Sequence, residues 1–356
     1  MGSEVHEGAP NRPSRSVHVP QLTATAYWTV APGIGELRRQ VLPEPSEEEV
    51  LVRALCSGVS RGTELLIHAG AVPSGVRTLM RAPFQDGDLP GPVKYGYLSV
   101  GQVEAGPAEL LGRRVFCLYP HQDRYVVPVS ALTTVPDDVP SARAVLTGTV
   151  ETVVNAVWDG APRLGDRVAV VGAGMVGCAL AAILRSFPLS RLELVDVDLS
   201  RAEVARRLGV AFATPQEAGG DCDLVFHCSA STAGLNRGLE LLGEEGELIE
   251  LSWFGDTATA ATLGGAFHAR RLTLRASQVG AVSAARRVRR THADRRELAL
   301  ELLRDPCFDE LITSRGPFTR LPDTIRRLAS GELSGLCHVV EYGPGGAEVH
   351  RGREEG

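Results

Sequence analysis

Lysine is almost missing from this sequence. Of 37 basic residues, 36 are arginine and one is lysine, Lys94. Positive charge is not in excess either: 43 acidic residues leave a formal net charge of -6, against the concentrated positive charge of a nucleic-acid binder. Paired cysteines are missing too. The seven cysteines (Cys56, Cys117, Cys178, Cys222, Cys228, Cys307 and Cys337) are scattered and form no C-x-x-C pair, which excludes a disulfide scaffold and a clustered zinc knuckle. No long hydrophobic run occurs. The longest uncharged apolar stretch, Val168–Leu184, is 17 residues. It is short for a membrane span and carries three glycines, so it reads as a buried strand and helix. Residues 1–20 are polar and show no apolar leader segment, so a cytoplasmic location is the expectation. Aromatics make up only 5% of the chain.

What is present is 356 residues at 44% hydrophobic and 22% charged, a soluble globular composition long enough for two domains. The two ends, 1–20 and 343–356, are rich in Gly, Pro and charge and read as tails. From Thr23 to about Thr134, short apolar runs such as 50–55, 100–105 and 114–118 are punctuated by Pro and Gly. That style predicts a small β-barrel with long loops. Beyond Gly165 the pattern alternates. Strands are expected at 167–171, 192–195, 223–227 and 247–251. Helices are expected at 176–185, 200–208 (capped by Ser200) and 232–242. Alternation of this kind predicts an α/β fold, a parallel sheet with helices on its faces. An arginine-rich helical stretch is expected over 284–304, with Arg286, Arg287, Arg289 and Arg290 on a solvated face.

One motif carries specific chemistry. Gly172, Gly174 and Gly177 form G-x-G-x-x-G between a strand and a helix, and Asp196 lies 19 residues further on, at the end of the next strand. Such glycines allow a tight turn and close approach of a pyrophosphate, the helix N-terminus (Met175, Val176) offers amide donors, and the acid can bind ribose hydroxyls. The pattern predicts a dinucleotide site. An acid at 196 repels a 2′-phosphate and favours NAD(H) over NADP(H); Arg201, five residues on, opposes that preference. The strand-end segments 227–229 (with Cys228 and Ser229) and 253–255 (with Trp253) fall at the carboxyl edge, where ligands bind in open sheets.

A β-rich first part followed by this unit resembles the medium-chain dehydrogenase/reductase superfamily, the fold of the zinc alcohol and threonine dehydrogenases. Gly58-Val59-Ser60-Arg61-Gly62-Thr63-Glu64 resembles that superfamily's G-I-C-x-T/S-D segment. Gly96-Tyr97-Leu98-Ser99-Val100-Gly101 resembles its G-H-E-x-x-G. The resemblance implies a GroES-like catalytic domain at 21–150 and 285–342 and a doubly wound Rossmann domain at 151–284. It also implies a homodimer, with the last Rossmann strand, between 267–268 and 277–280, near the partner. The zinc ligands are replaced: Ser60 stands for Cys, Tyr97-Leu98 for His-Glu, and the third position falls near Thr147. Serine and tyrosine are poor zinc ligands, so a zinc-free member is expected.

Without a metal, side chains must hold the developing alkoxide and move its proton. The candidates are Tyr97 as proton donor or acceptor, Lys94 three residues away to tune it or bind substrate, His121 as a second acid/base or substrate ligand, Ser60 and Glu64 to hydrogen-bond a substrate hydroxyl, and Glu151 at the start of a helix on the nicotinamide side. These polar groups and the scarcity of aromatics favour a polar substrate such as a cyclitol, sugar or hydroxyalkyl metabolite, in a biosynthetic role. The alternatives are a quinone or enoyl reductase and a catalytically silent NAD-binding protein.

Overall fold

The computed structural model describes residues 21–343; the predicted tails at 1–20 and 343–356 lie outside them, save Gly343. The first part is mainly β: β1 (Thr23–Ala31), β2 (Ile34–Val41), β3 (Glu49–Ser60), helix α1 (Arg61–Ala69), β4 (Asp86–Gly87), β5 (Val93–Lys94), β6 (Ser99–Ala105), β7 (Arg114–Cys117), β8 (Arg124–Pro128) and β9 (Leu132–Thr134). The short helix α2 (Ser141–Ala144) and the long α3 (Thr147–Gly160) follow. Then come β10 (Arg167–Val171), α4 (Met175–Leu184), β11 (Arg191–Val195), α5 (Arg201–Leu208), β12 (Ala211–Ala213), β13 (Cys222–His227), α6 (Thr232–Leu241), β14 (Leu242–Glu250), α7 (Ala266–Ala269) and β15 (Thr273–Ala276). The chain closes with α8 (His292–Leu302), β16 (Ile312–Pro317), α9 (Leu321–Ala329) and β17 (Cys337–Glu341).

The second part is the predicted parallel sheet. Its six strands run β12-β11-β10-β13-β14-β15, every neighbour pair parallel. Val168, Val170, Ala169 and their neighbours on β13 are fully buried, because helices cover both faces and each strand can be apolar on both sides. The first part forms two β-sheets, β2-β1-β5-β4 and β16-β17-β3-β6-β7-β9, with β8 also paired to β3. The late strand β17 runs antiparallel to β3, placing Val339 beside Gly58. All seven cysteines are free. No helix among the described residues is long and apolar enough to cross a membrane.

Local expectations failed in instructive places. The arginine-rich stretch is not a helix from Ala284. Residues 284–289 are exposed consecutive turns, and α8 starts only at His292, where Thr291 and Asp294 form a reciprocal capping box. Arginines three and four apart repel on a helix face, and this segment has no packed face to offset that. Ser200 precedes α5 but does not cap it with its side chain. Its hydroxyl and amide instead donate to Asp198. β12 had no sequence signal, and β14 begins five residues before the predicted strand, directly from the end of α6.

Candidate active site

The parallel sheet reverses its winding between β10 and β13, the switch point at which open α/β sheets bind ligands. Gly172 leaves β10 with φ +110, a conformation only glycine adopts freely, and a Cβ there would lie 2.7 Å from the Ser229 amide nitrogen. At Gly177 a Cβ would meet the Gly172 carbonyl at 1.8 Å, whereas Gly174 faces open space. The cradle is therefore a close-packed turn with one open side at the α4 N-terminus, and it fits a dinucleotide pyrophosphate. Met175 is buried and Val176 half-buried. Asp196 accepts from the Ala173 amide at 2.6 Å and from the Asp198 amide at 2.8 Å, so it braces the glycine turn and keeps further lone pairs for a ribose. Arg201 pairs with Asp198 at 3.2 Å, which already gives its guanidinium an anionic partner.

At the neighbouring strand end, Cys228 is half-buried and its amide donates to Val171. Burial pushes its thiol well above the usual range. Ser229 joins a chain that sequence reading did not detect: Glu250 Oε2 to His227 Nδ1 at 2.6 Å, His227 Nε2 to Ser229 Oγ at 2.7 Å, and Ser229 Oγ to Ser231 Oγ at 2.9 Å. Glu250 and His227 are register partners on β14 and β13, so their side chains share a sheet face. Trp253, on the loop after β14, packs against the cluster of Ile67, Val72, Leu89, Val93 and Tyr95, which Tyr97 also touches.

The second group lies where β3 ends. Ser60 is the residue before α1, 6% exposed, with extended backbone and a side chain that does not cap the helix. The half-buried Tyr97 donates to Ser60 Oγ at 2.5 Å. Behind this pair, Glu64 Oε1 accepts from the Ser60 amide at 2.7 Å, and Oε2 meets His121 Nε2 at 2.8 Å. His121 Nδ1 meets Ser57 Oγ at 2.7 Å, and Ser57 meets the Tyr342 hydroxyl at 3.0 Å. With His121 donating to the carboxylate, its other nitrogen accepts from Ser57, and the chain is satisfied end to end. Burial pushes the Tyr97 phenol up to about 12, against a lowering by its bond to Ser60. The phenol is therefore a protonated donor at neutral pH.

The structure rearranges the sequence-derived set. Ser60, Glu64, Tyr97 and His121 come together. His121, however, is 1% exposed and engaged at both nitrogens, so it backs the site and does not face it. Lys94 does not tune Tyr97. Its ammonium bonds Gln122 Oε1 at 3.0 Å and approaches Asp86 at 3.6 Å, over the Trp28 and Tyr119 rings. Glu151 is not helix-terminal. It is buried within α3 and paired to Arg295 of α8 at 3.1 Å, a tie between two helices. Ser57 and Tyr342 were missed; Tyr342 lies 285 positions from its partner, beyond any local pattern.

The residues present do not suit zinc. Ser60 and Tyr97 offer neutral hydroxyls, and both Glu64 oxygens are already engaged. Among the described residues no group of three His, Cys, Asp or Glu side chains could hold a metal ion.

The fold is that of the zinc-type alcohol dehydrogenases, a Rossmann sheet beside a separate β-rich part. L-idonate 5-dehydrogenase of Escherichia coli K-12 superposes with a TM-score of 0.74 at 14% identity, covering 90% of this chain and 99% of that one. A protein of E. coli CFT073 described as a short chain alcohol dehydrogenase, in complex with NADH, gives 0.72 at 16%, covering 90% and 99%. A Sinorhizobium meliloti 1021 protein assigned as a zinc-binding dehydrogenase, bound to NADP, gives 0.73 at 16%, covering 90% and 100%. No protein-family profile matches the sequence, and no curated protein does.

Proposed function

We propose that the chain is an NAD(H)-dependent oxidoreductase that interconverts a secondary alcohol and a ketone on a polar small molecule without zinc. The observation that carries this reading is the Ser60–Tyr97 hydroxyl pair, standing at the positions that match zinc ligands in the resembled enzymes and backed by the buried Glu64–His121 pair. A bound NAD supplies the hydride acceptor for the alcohol, or the donor for the ketone. The chain's own groups handle the oxygen. On substrate binding the Tyr97 hydroxyl, protonated at neutral pH, turns from Ser60 to a ketone oxygen and gives up its proton as the hydride arrives; the Ser60 hydroxyl is the second donor to that oxygen, and a solvent proton restores the phenol after product leaves. Glu64 holds the Ser60 backbone and His121 holds Glu64, so the pair is fixed before substrate arrives.

Asp196 supports NAD(H) over NADP(H), and Arg201 is drawn to Asp198 instead of standing free for a 2′-phosphate. The edge strand β15 exposes all four residues, as does Leu263 nearby in sequence. A homodimer covering that edge is part of the proposal. The test is a fluorescence titration with NADH and NADPH, then NAD reduction on a panel of polyols, cyclitols and 2,3-butanediol, with zinc content measured on the same sample. Tighter NADH binding and turnover by metal-free protein are expected. Stoichiometric zinc needed for turnover sinks the mechanism. Preference for NADPH with activity on quinones would favour the reductase alternative.

A further inference from the structure

Among the buried charged groups that the proposed reaction leaves unused, Lys94 has the most direct line to the site. It is 4% exposed and lies on β5, immediately before the stretch that presents Tyr97. Tyr95–Leu98 belongs to no strand. At its far end Leu98 accepts from the Gly58 amide at 2.8 Å, and at its near end Tyr95 accepts from the His121 amide at a loose 3.4 Å. Gly96 at φ +127 comes so close to His121 that a Cβ would lie 3.0 Å from the ring. The stretch bearing Tyr97 and the stretch bearing His121 thus run side by side with few backbone bonds between them.

The Lys94–Gln122 bond at 3.0 Å supplies the missing link. Gln122 directly follows His121 and is itself fixed, donating to the Arg124 carbonyl at 2.6 Å and accepting from Gln40 at 3.2 Å. The box around the ammonium holds Gln122, Asp86 and two aromatic faces. A compact ammonium with three donors suits it, whereas a planar guanidinium would bury donors without partners. That accounts for a lysine here in a chain that otherwise uses arginine.

We propose that Lys94 is a positioning residue: through Gln122 it locks the Tyr97 stretch to the His121 stretch and so keeps the Ser60–Tyr97 pair aligned with its Glu64–His121 support. Only the kinetic arm of the test rests on the alcohol–ketone reading. The variants are Lys94→Met, Gln122→Leu and the double. On the best alcohol of the panel, each single variant is expected to lower kcat about tenfold with KM and the NADH Kd within about twofold, a loss typical of misplaced catalytic groups. The double should be no worse than either single, because one link is cut. Imidazole NMR of the nine histidines, with His121 assigned through His121→Gln, should show the His121 signal moved in Lys94→Met and the others in place. Wild-type kcat in Lys94→Met, multiplied losses in the double, or an unmoved His121 signal overturns the proposal. A wild-type protein that turns over no alcohol refutes the reading of the reaction instead, and the NMR comparison then decides the clamp alone.

Discussion

Replacing Tyr97 with phenylalanine removes one oxygen and leaves the ring's packing. In the wild type that oxygen donates to Ser60 at 2.5 Å, and its proton is held by a phenol pushed up to about 12. Two consequences separate. For folding, one hydrogen bond in a partly buried place is lost, worth about 1 kcal/mol and a fall in Tm of about 1–2 °C at this size. For catalysis, one of two donors to the developing alkoxide is gone. A single preorganised donor of this kind is worth about 2.7–4 kcal/mol, or roughly 10²–10³ in kcat. Ser60 remains, so activity should not vanish. Ketone reduction followed by NADH consumption should therefore show kcat down about a hundredfold or more, with the NADH Kd little changed because the phenol is assigned to the substrate oxygen and the glycine turn to the pyrophosphate. A folded phenylalanine variant keeping more than about a tenth of wild-type kcat would refute the role assigned to the phenol.

The same phenol sets a pH dependence. Alcohol oxidation needs it as a base, and below about pH 12 the phenolate fraction rises about tenfold per pH unit, so log kcat for oxidation should climb with unit slope while reduction stays flat near neutrality. Equal profiles in both directions would exclude Tyr97 as the proton carrier. Gly177→Ala puts a Cβ 1.8 Å from the Gly172 carbonyl; NADH binding measured by fluorescence should weaken at least about tenfold, since the turn must open by overpacking. Arg295→Met leaves the Glu151 carboxylate, 2% exposed, with only Arg296 at 3.9 Å. Breaking such a buried pair should cost about 3–5 kcal/mol in denaturant unfolding, and a loss under about 1 kcal/mol would contradict that pairing.

The parts of this protein that could be read from the sequence are those whose cause is local. The glycine turn, the alternating strands and helices, and the acid at the end of the second strand all act within about thirty residues of chain, and β10, α4 and β11 lie within a residue or so of expectation. Ser60, Glu64 and Tyr97 were singled out because their segments could be matched to a pattern, and they do lie together. The failures have a common origin in side-chain direction and long-range pairing. Lys94 and Tyr97 are three positions apart. In extended chain an odd separation sends side chains to opposite faces, and the glycine between them adds a left-handed kink, so proximity in sequence does not put the ammonium beside the phenol. Glu151 reads as an available acid only until Arg295, 144 positions later, closes on it. His121 reads as a free base until Ser57 and Glu64 occupy both nitrogens. Each residue demoted from direct chemistry is held by a partner that no local pattern names. In the proposed reaction that leaves Tyr97 and Ser60 as the hydroxyls assigned to the substrate oxygen.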